Sequence, residues 1–247
     1  MTDQKTSIWQ FKQHEQWVKT VLISDIVEPS WTICEFCCGK GLDLGRWIQK
    51  KKPFTAEFLC HDPKTEDLST ILSPESFNVV ASFDGLQHSF ESESKCTKFI
   101  ENVAGCLKKG GYFFGLVPDS SAIWDRAQHK AARSSSSSDQ KGLFSMEFPS
   151  DYTFPQFGSS YVLKIEDALH EDVTEYLVHF PTLIKKCAEN GLEMLEISNL
   201  LEFYEDNKRN YYDRLKEMKV LLKDGRLDPL QKDLIGMYST FVFQKSQ

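Results

Sequence analysis

Residues 32–47 read TICEFCCGKGLDLGRW. The short apolar run Ile33, Cys34 and Phe36 breaks at Gly39 and Gly41, and Leu42, Leu44 and Trp47 then begin a helical spacing. The stretch predicts a strand, a tight glycine turn and a helix. Glycine at such a turn lets backbone approach a ligand closely, and the helix behind it aims unpaired N–H groups and a positive dipole end at that ligand.

A dinucleotide cradle would spell G-x-G-x-x-G and seat a phosphate on the helix. Here Cys37 stands at the first glycine position, Gly39 at the second, and Asp43 comes early in the helix. A carboxylate there competes with a phosphate but tolerates a cationic nucleoside, which tilts the reading towards S-adenosylmethionine. The other reading is a glycine-containing turn between core elements.

The chain has 247 residues, enough for one large α/β domain, read here as a single domain over 1–247. Its net charge of −7 argues against a broad basic face for nucleic acid, so any such contact must be local. No apolar run reaches the roughly 18 residues of a membrane-spanning helix, and the polar start MTDQKTS is unlike a signal peptide, so a soluble intracellular protein is expected. The seven cysteines are odd in number and scattered. Cys34 and Cys37 form a C-x-x-C without a second pair, and no metal site is expected.

Helical spacing recurs from Phe11 to Ile26, and Pro29 ends it. After the glycine turn come an apolar segment at Ala56 to Cys60 and a clear β-branched and aromatic strand at Phe77 to Phe83. A helix from about Ser92 to Leu107 closes at Lys108-Lys109-Gly110-Gly111, and Tyr112 to Val117 is the next strand. A helix is expected over Ile123 to Ala131, and the serine-rich stretch Arg133 to Gln140 reads as a flexible loop. Strands at Gly142 to Phe148 and Tyr161 to Ile165 break the alternation and suggest an inserted lobe at about 142–180. Pro181 starts a helix that Gly191 closes, Leu192 to Ile197 is a strand, Leu201 to Leu222 is mainly helix, and Tyr238 to Phe243 is the last strand. The alternation implies a mostly parallel sheet with a hairpin edge, seven strands in its full form.

Several segments together resemble the messenger RNA cap guanine-N7 methyltransferases, in particular the shorter plant-type branch. They are WVKTVLI (17–23), CCGKGLDLGRW (37–47), HSFESE (88–93), LKKGGYFFGLVPDSSAIWDR (107–126), FPQFGSSY (154–161), EYLVHFPTLI (175–184), LEFYEDN (201–207) and MYSTFVFQK (237–245). They keep the family's order and cover nearly the whole chain. The resemblance implies a Rossmann-like class I S-adenosylmethionine-dependent methyltransferase sheet, a nuclear location because capping accompanies transcription, and capped RNA as substrate. For the donor, Lys19, Cys37, Gly39, Asp62, Phe83 and His88 match cofactor-contacting positions. For the cap, Glu15, Gln16, Lys40, Arg46, Gln87, Glu175 and Tyr238 match cap-contacting positions.

These residue types suit such roles. A carboxylate such as Glu175 can accept two parallel bonds from guanine N1–H and its exocyclic amine. Lys40 and Arg46 can meet a triphosphate, and Tyr238 can present its ring and hydroxyl to the nucleoside. Otherwise they read as a solvated strand end, a solvated helix face and a core aromatic. No general base is expected, because guanine N7 needs no deprotonation before it attacks. Rival readings are a small-molecule methyltransferase and a non-enzymatic relative that binds RNA or a capping partner.

The chain departs from the family pattern D-L-G-C-G-x-G at Cys37, where a glycine is expected, and Gln87-His88 and Phe83 replace its usual His-Tyr and glutamine. A larger departure follows the first helix. By spacing alone Asp62 could be the acid that holds the donor's ribose. TAEFLCHDP (55–63), however, resembles the family's third strand, whose acid would meet the adenine amine, and on that view the second strand, its ribose-binding acid and the following helix are missing. A shortened sheet with an exposed edge is expected.

Overall fold

The computed structural model describes residues 8–50, 54–132, 144–149, 154–165 and 173–247. The expected loop at Arg133 to Gln140 and the polar start MTDQKTS lie outside them. Helix α1 (Trp9–Ile26) comes first and ends as Val27 turns extended, two residues before Pro29. Strand β1 (Ile33–Glu35) leads through the glycine turn into α2 (Leu44–Lys50). A single 3-10 turn at Leu68–Thr70 precedes β2 (Phe77–Ser82), the short α3 (Leu86–Ser89) and α4 (Glu93–Cys106). The α4 start is set by Ser92, whose side chain accepts from Lys95 N–H, as an N-cap serine does. Strand β3 (Leu107–Pro118) starts directly after α4, so the Lys-Lys-Gly-Gly stretch belongs to the strand and not to a helix end. Helix α5 (Ser120–Ala132) follows.

The lobe consists of β4 (Phe144–Glu147), β5 (Ser160–Ile165) and β6 (Val173–Tyr176), an antiparallel sheet. Then come α6 (Phe180–Glu189), with Pro181 in its first turn, and β7 (Leu192–Asn199). The expected long helix is two short ones, α7 (Leu200–Asn207) and α8 (Tyr212–Glu217), and α9 (Pro229–Ile235) precedes β8 (Tyr238–Lys245). Asp228 caps α9 by accepting from Leu230 N–H, and Pro229 follows it. That cap-and-proline pair is legible in the sequence, yet no helix was expected there.

The main sheet has five strands in the order β1-β2-β3-β8-β7. The first three are parallel, and β8 and β7 are antiparallel to their neighbours, so the sheet is mixed with the expected hairpin edge. Alternation along the strands builds two cores. Val79, Ala81, Phe114, Leu116 and Val242 face one that contains Trp17 of α1, Phe203 of α7 and Leu234 of α9. Val80, Phe113, Phe241 and Phe243 face the other, with Phe99 and Ile100 of α4 and Leu183 of α6. This is period-two burial on both faces of a covered sheet.

Among the described residues no strand or helix lies between α2 and the 3-10 turn at Leu68–Thr70, where a second strand and its helix would stand in the full fold. The expected third strand is absent too: Ala56 to Cys60 forms no strand, and this corrects the sequence reading. In a doubly wound order 3-2-1-4 the third strand pairs only with the second, so losing one removes the other's ladder. Strand β1 therefore pairs only with β2 among the described residues and is the sheet edge. Leu42, Phe58 and Leu59 stay exposed, and the Phe58 ring lies against Gly41 in the glycine turn.

Candidate active site

The parallel strands β1 and β2 end side by side, at the position where open α/β sheets hold ligands. Strand β1 ends in Glu35, whose Oε2 accepts from Trp47 Nε1 at 2.6 Å. This bond ties the strand end to α2, and burial raises the Glu35 carboxyl pKa. Trp47 stacks on Phe83, with ring centroids 6.1 Å apart, and Lys19 Nζ from α1 stands 5.1 Å from the Phe83 centroid. Lys19 and Phe83, both expected to contact the donor, thus lie together beside Trp47. Nothing lies within 4 Å of where a Cβ on Gly39 would project, so the turn has open space above it.

Cys37 holds φ +58°, a left-handed backbone that glycine adopts freely and other residues do at a cost. The position has thus kept glycine geometry while losing the glycine. Gly85, at φ +103°, packs against it: a Cβ added there would stand 2.7 Å from Cys37 Sγ. Burial pushes the Cys37 thiol up to about 11, which makes it an inert side chain and not a nucleophile. Cys37→Gly is expected to stabilise the fold by about 1 kcal/mol. A rise of roughly 2–4 °C in the thermal midpoint would show it, and a lower midpoint would show that the thiol's packing outweighs the backbone strain.

Asp43 is buried and joins residues expected in separate roles. It accepts from Lys19 Nζ at 2.9 Å and from Arg46, and Arg46 also donates to Gln16 Oε1. Gln16 and Arg46, expected at the cap, are therefore joined with donor-side Lys19 in one network. The sequence reading used Asp43 only as a charge that disfavours phosphate and did not anticipate its ion pairs, although an acid between the expected cap ligands Lys40 and Arg46 was the available signal. Lys40 is exposed on the turn. Asp62 is turned to its own loop: its Oδ1 takes Lys64 Nζ at 2.8 Å and Lys64 N–H, and its Oδ2 takes Thr65 Oγ1 at 3.2 Å. Burial opposes ionisation there, but the Lys64 and Thr65 bonds outweigh it and hold the carboxyl below its usual range.

Of the residues expected at the cap, Glu15 and Glu175 gather around Tyr238 at the start of β8. Its ring lies 5.4 Å from Phe11 of α1, and Glu15, Tyr161, Glu175 and Asp84 all bear electrostatically on its hydroxyl. Burial, then these acids, raise the Tyr238 phenol well above its ordinary value. Glu175 comes from lobe strand β6, paired with Tyr161 of β5. Burial pushes its carboxyl up to about 7, with Asp84 adding to the rise and a Gln87 contact opposing it. Glu175 Oε2 is buried and has no hydrogen-bond partner, and His88 Nε2 stands 3.9 Å from it, beyond bonding distance. His88, expected on the donor side, thus faces the acid expected at the cap, and burial lowers its pKa. Half-buried Glu15 on α1 is likewise pushed up to about 7 by burial. Gln87 is buried, with its amide committed to the adjoining turn: Nε2 donates to Asp84 Oδ1 at 2.8 Å and Oε1 accepts from Gly85 N–H at 3.0 Å. Among the described residues no cluster of His, Cys, Asp and Glu could hold a metal ion, and no helix is long and apolar enough to cross a membrane.

The fold resembles a solved S-adenosylmethionine-dependent methyltransferase from Methanosarcina mazei at a TM-score of 0.53, over 91% of this chain and 97% of that one, with 11% identity. That likeness concerns the fold alone. In sequence, the chain is 33% identical over 268 residues to mRNA cap guanine-N(7) methyltransferase 2 of Oryza sativa subsp. japonica, covering 93% of this chain and 78% of the relative. The Arabidopsis thaliana protein of the same name is also 33% identical over 268 residues, covering 92% and 75%. The model of the mRNA (guanine-N(7))-methyltransferase domain matches residues 48–246. With most of the chain inside that match and the sheet and lobe as described, the chain belongs to the mRNA (guanine-N(7))-methyltransferase family.

Proposed function

We propose that the chain transfers a methyl group from S-adenosylmethionine to N7 of the guanosine cap of messenger RNA, with Glu175 and Tyr238 receiving the guanosine. The observation that carries this is the buried Glu175 Oε2, which lacks a hydrogen-bond partner beside Tyr238. A buried acceptor left unpaired costs free energy unless a ligand supplies the donor, and a guanine edge offers two donors in parallel. Lys40 is the cation open to the triphosphate, and Arg46 joins it if Gln16 and Asp43 yield. Glu15 closes the α1 side of the pocket.

The donor supplies a methyl group on a cationic sulfur. The turn at Cys37 and Gly39 fits its methionine end, and Lys19, Phe83 and His88 line the rest of that side. Guanine N7 carries an accessible lone pair and loses no proton before attack, so the side chains act by holding the ring and excluding water. Asp84 and Glu175 add negative charge on the side where the guanine becomes cationic. The chain acts in the nucleus on this reading, where capping accompanies transcription.

Incubation with methyl-labelled donor and three acceptors tests this. GpppA-ended RNA is expected to take label, and uncapped RNA and small acceptors are not. Label on small acceptors only would remove the cap reading. Capped-RNA binding with no turnover even at millimolar donor would favour a cap-binding chain without catalysis, a second reading that the missing strand supports.

A further inference from the structure

Asp84 enters the roles above only as a negative charge, yet it also holds a residue that bears on Glu175. It lies two residues beyond the end of β2 and is exposed, and its Oδ1 holds buried Gln87 through the Nε2 bond of 2.8 Å. The other end of that amide is fixed by Gly85 N–H on Oε1 at 3.0 Å. Gln87 also contacts Glu175 and favours its ionised form. The amide therefore stands between two carboxylates. A primary amide carries two N–H donors on one nitrogen, so one hydrogen bonded to Asp84 leaves the second for Glu175.

We propose that Asp84 is a positioning residue for cap recognition, acting through Gln87 to hold Glu175 in register for the guanine edge; this rests on the cap-site reading above. The choice of acid follows from amide chemistry. An ionised carboxylate only accepts, so with Asp84 on one side the amide must turn Nε2 towards it. Without that acceptor Gln87 can flip and bring Oε1 towards Glu175, acceptor against acceptor. Gly85 reinforces the choice because its N–H matches only the carbonyl end of the amide.

Charge gives a second signature. The groups that face Glu175 are Asp84, His88 at 3.9 Å, Tyr161 across the β5–β6 pair, and Tyr238 with Glu15 behind it. Asp84 repels the ionised Glu175. Replacing it by asparagine removes the repulsion but keeps an oxygen that accepts from Gln87.

The test compares Asp84→Asn and Asp84→Ala in the full chain by titration with GpppA between pH 5.5 and pH 9, with S-adenosylhomocysteine binding and the thermal midpoint as controls. Asp84→Asn is expected to bind GpppA within about twofold of the parent at high pH, with the acid-side loss of affinity moved to lower pH. Asp84→Ala is expected to lose roughly tenfold at every pH, with both controls unchanged. Equal losses in the two variants, or parental affinity with an unmoved pH profile in both, would overturn the relay. Glu175→Gln separates the two readings. If it binds GpppA as tightly as the parent, the cap-site reading fails and the relay with it. If it loses affinity while Asp84→Ala does not, the relay alone fails.

Discussion

Glu175→Gln is expected to weaken GpppA binding by roughly 30-fold, about 2 kcal/mol, while leaving donor affinity within twofold. The substitution keeps size and burial but puts an N–H where the guanine edge presents its own donors. One buried hydrogen bond is then replaced by donor facing donor. A pH series strengthens the test. Glu175 titrates at about 7, and only its ionised form accepts both guanine bonds, so cap affinity should rise between pH 6 and pH 8 in the parent and stay flat in the variant. Folding stability should run the other way. Glu15 and Glu175 both sit near 7 in the folded chain against 4.5 for an ordinary glutamate, so the folded state binds their protons more tightly. That contribution is full below about pH 4.5 and is lost as pH rises through about 7. Buried His14, lowered to about 3 with neither ring nitrogen partnered, opposes it on the acid side: stability lost to its protonation in the unfolded chain is recovered as pH rises towards 6.5. Urea midpoints that climb from pH 6 to pH 8 would contradict the two glutamate assignments.

The parts of the fold that could be read in the sequence were those with local causes. The β-branched and aromatic run Phe77 to Phe83, the helix start at about Ser92, Pro181 and the terminal strand all carry their signal within a few residues, and each appears close to where it was expected. The segment at Ala56 to Cys60 has the composition of a strand but lacks a partner, and no local pattern reveals that a ladder is missing. The site divides in the same way. Glu15, Glu175 and Tyr238 come from an α-helix, the lobe and the last strand, and only the resemblance could join them, since no periodicity links positions so far apart. Asp84 went unread because no motif covers it, and its meaning lies in the Gln87 bond three residues on. The cap roles expected of Arg46 and Gln16 likewise gave no sign of Asp43, which holds Arg46 and, through it, Gln16.

The donor is expected to bind this chain 10–150-fold more weakly than it binds the rice relative, a difference of roughly 1.5–3 kcal/mol, the worth of one bidentate carboxylate contact. Two independent observations lead here. The aligned span with that relative is 268 residues, longer than the 247 of this whole chain, so the relative carries internal residues that have no counterpart here. In the structure, β1 is the sheet edge and only residues 51–53 stand between α2 and Phe54, where a second strand with its ribose acid would otherwise follow. Asp62 does not take over that role in this arrangement, since Lys64 and Thr65 engage both of its oxygens. Calorimetry with S-adenosylhomocysteine on both proteins measures the difference directly, and Asp62→Ala in this chain should change the affinity by less than about twofold. Binding at ordinary micromolar strength that Asp62→Ala abolishes would reverse the conclusion. The Asp62 loop would then have to release Lys64 and Thr65 when the donor arrives, and Asp62 would be the ribose acid after all.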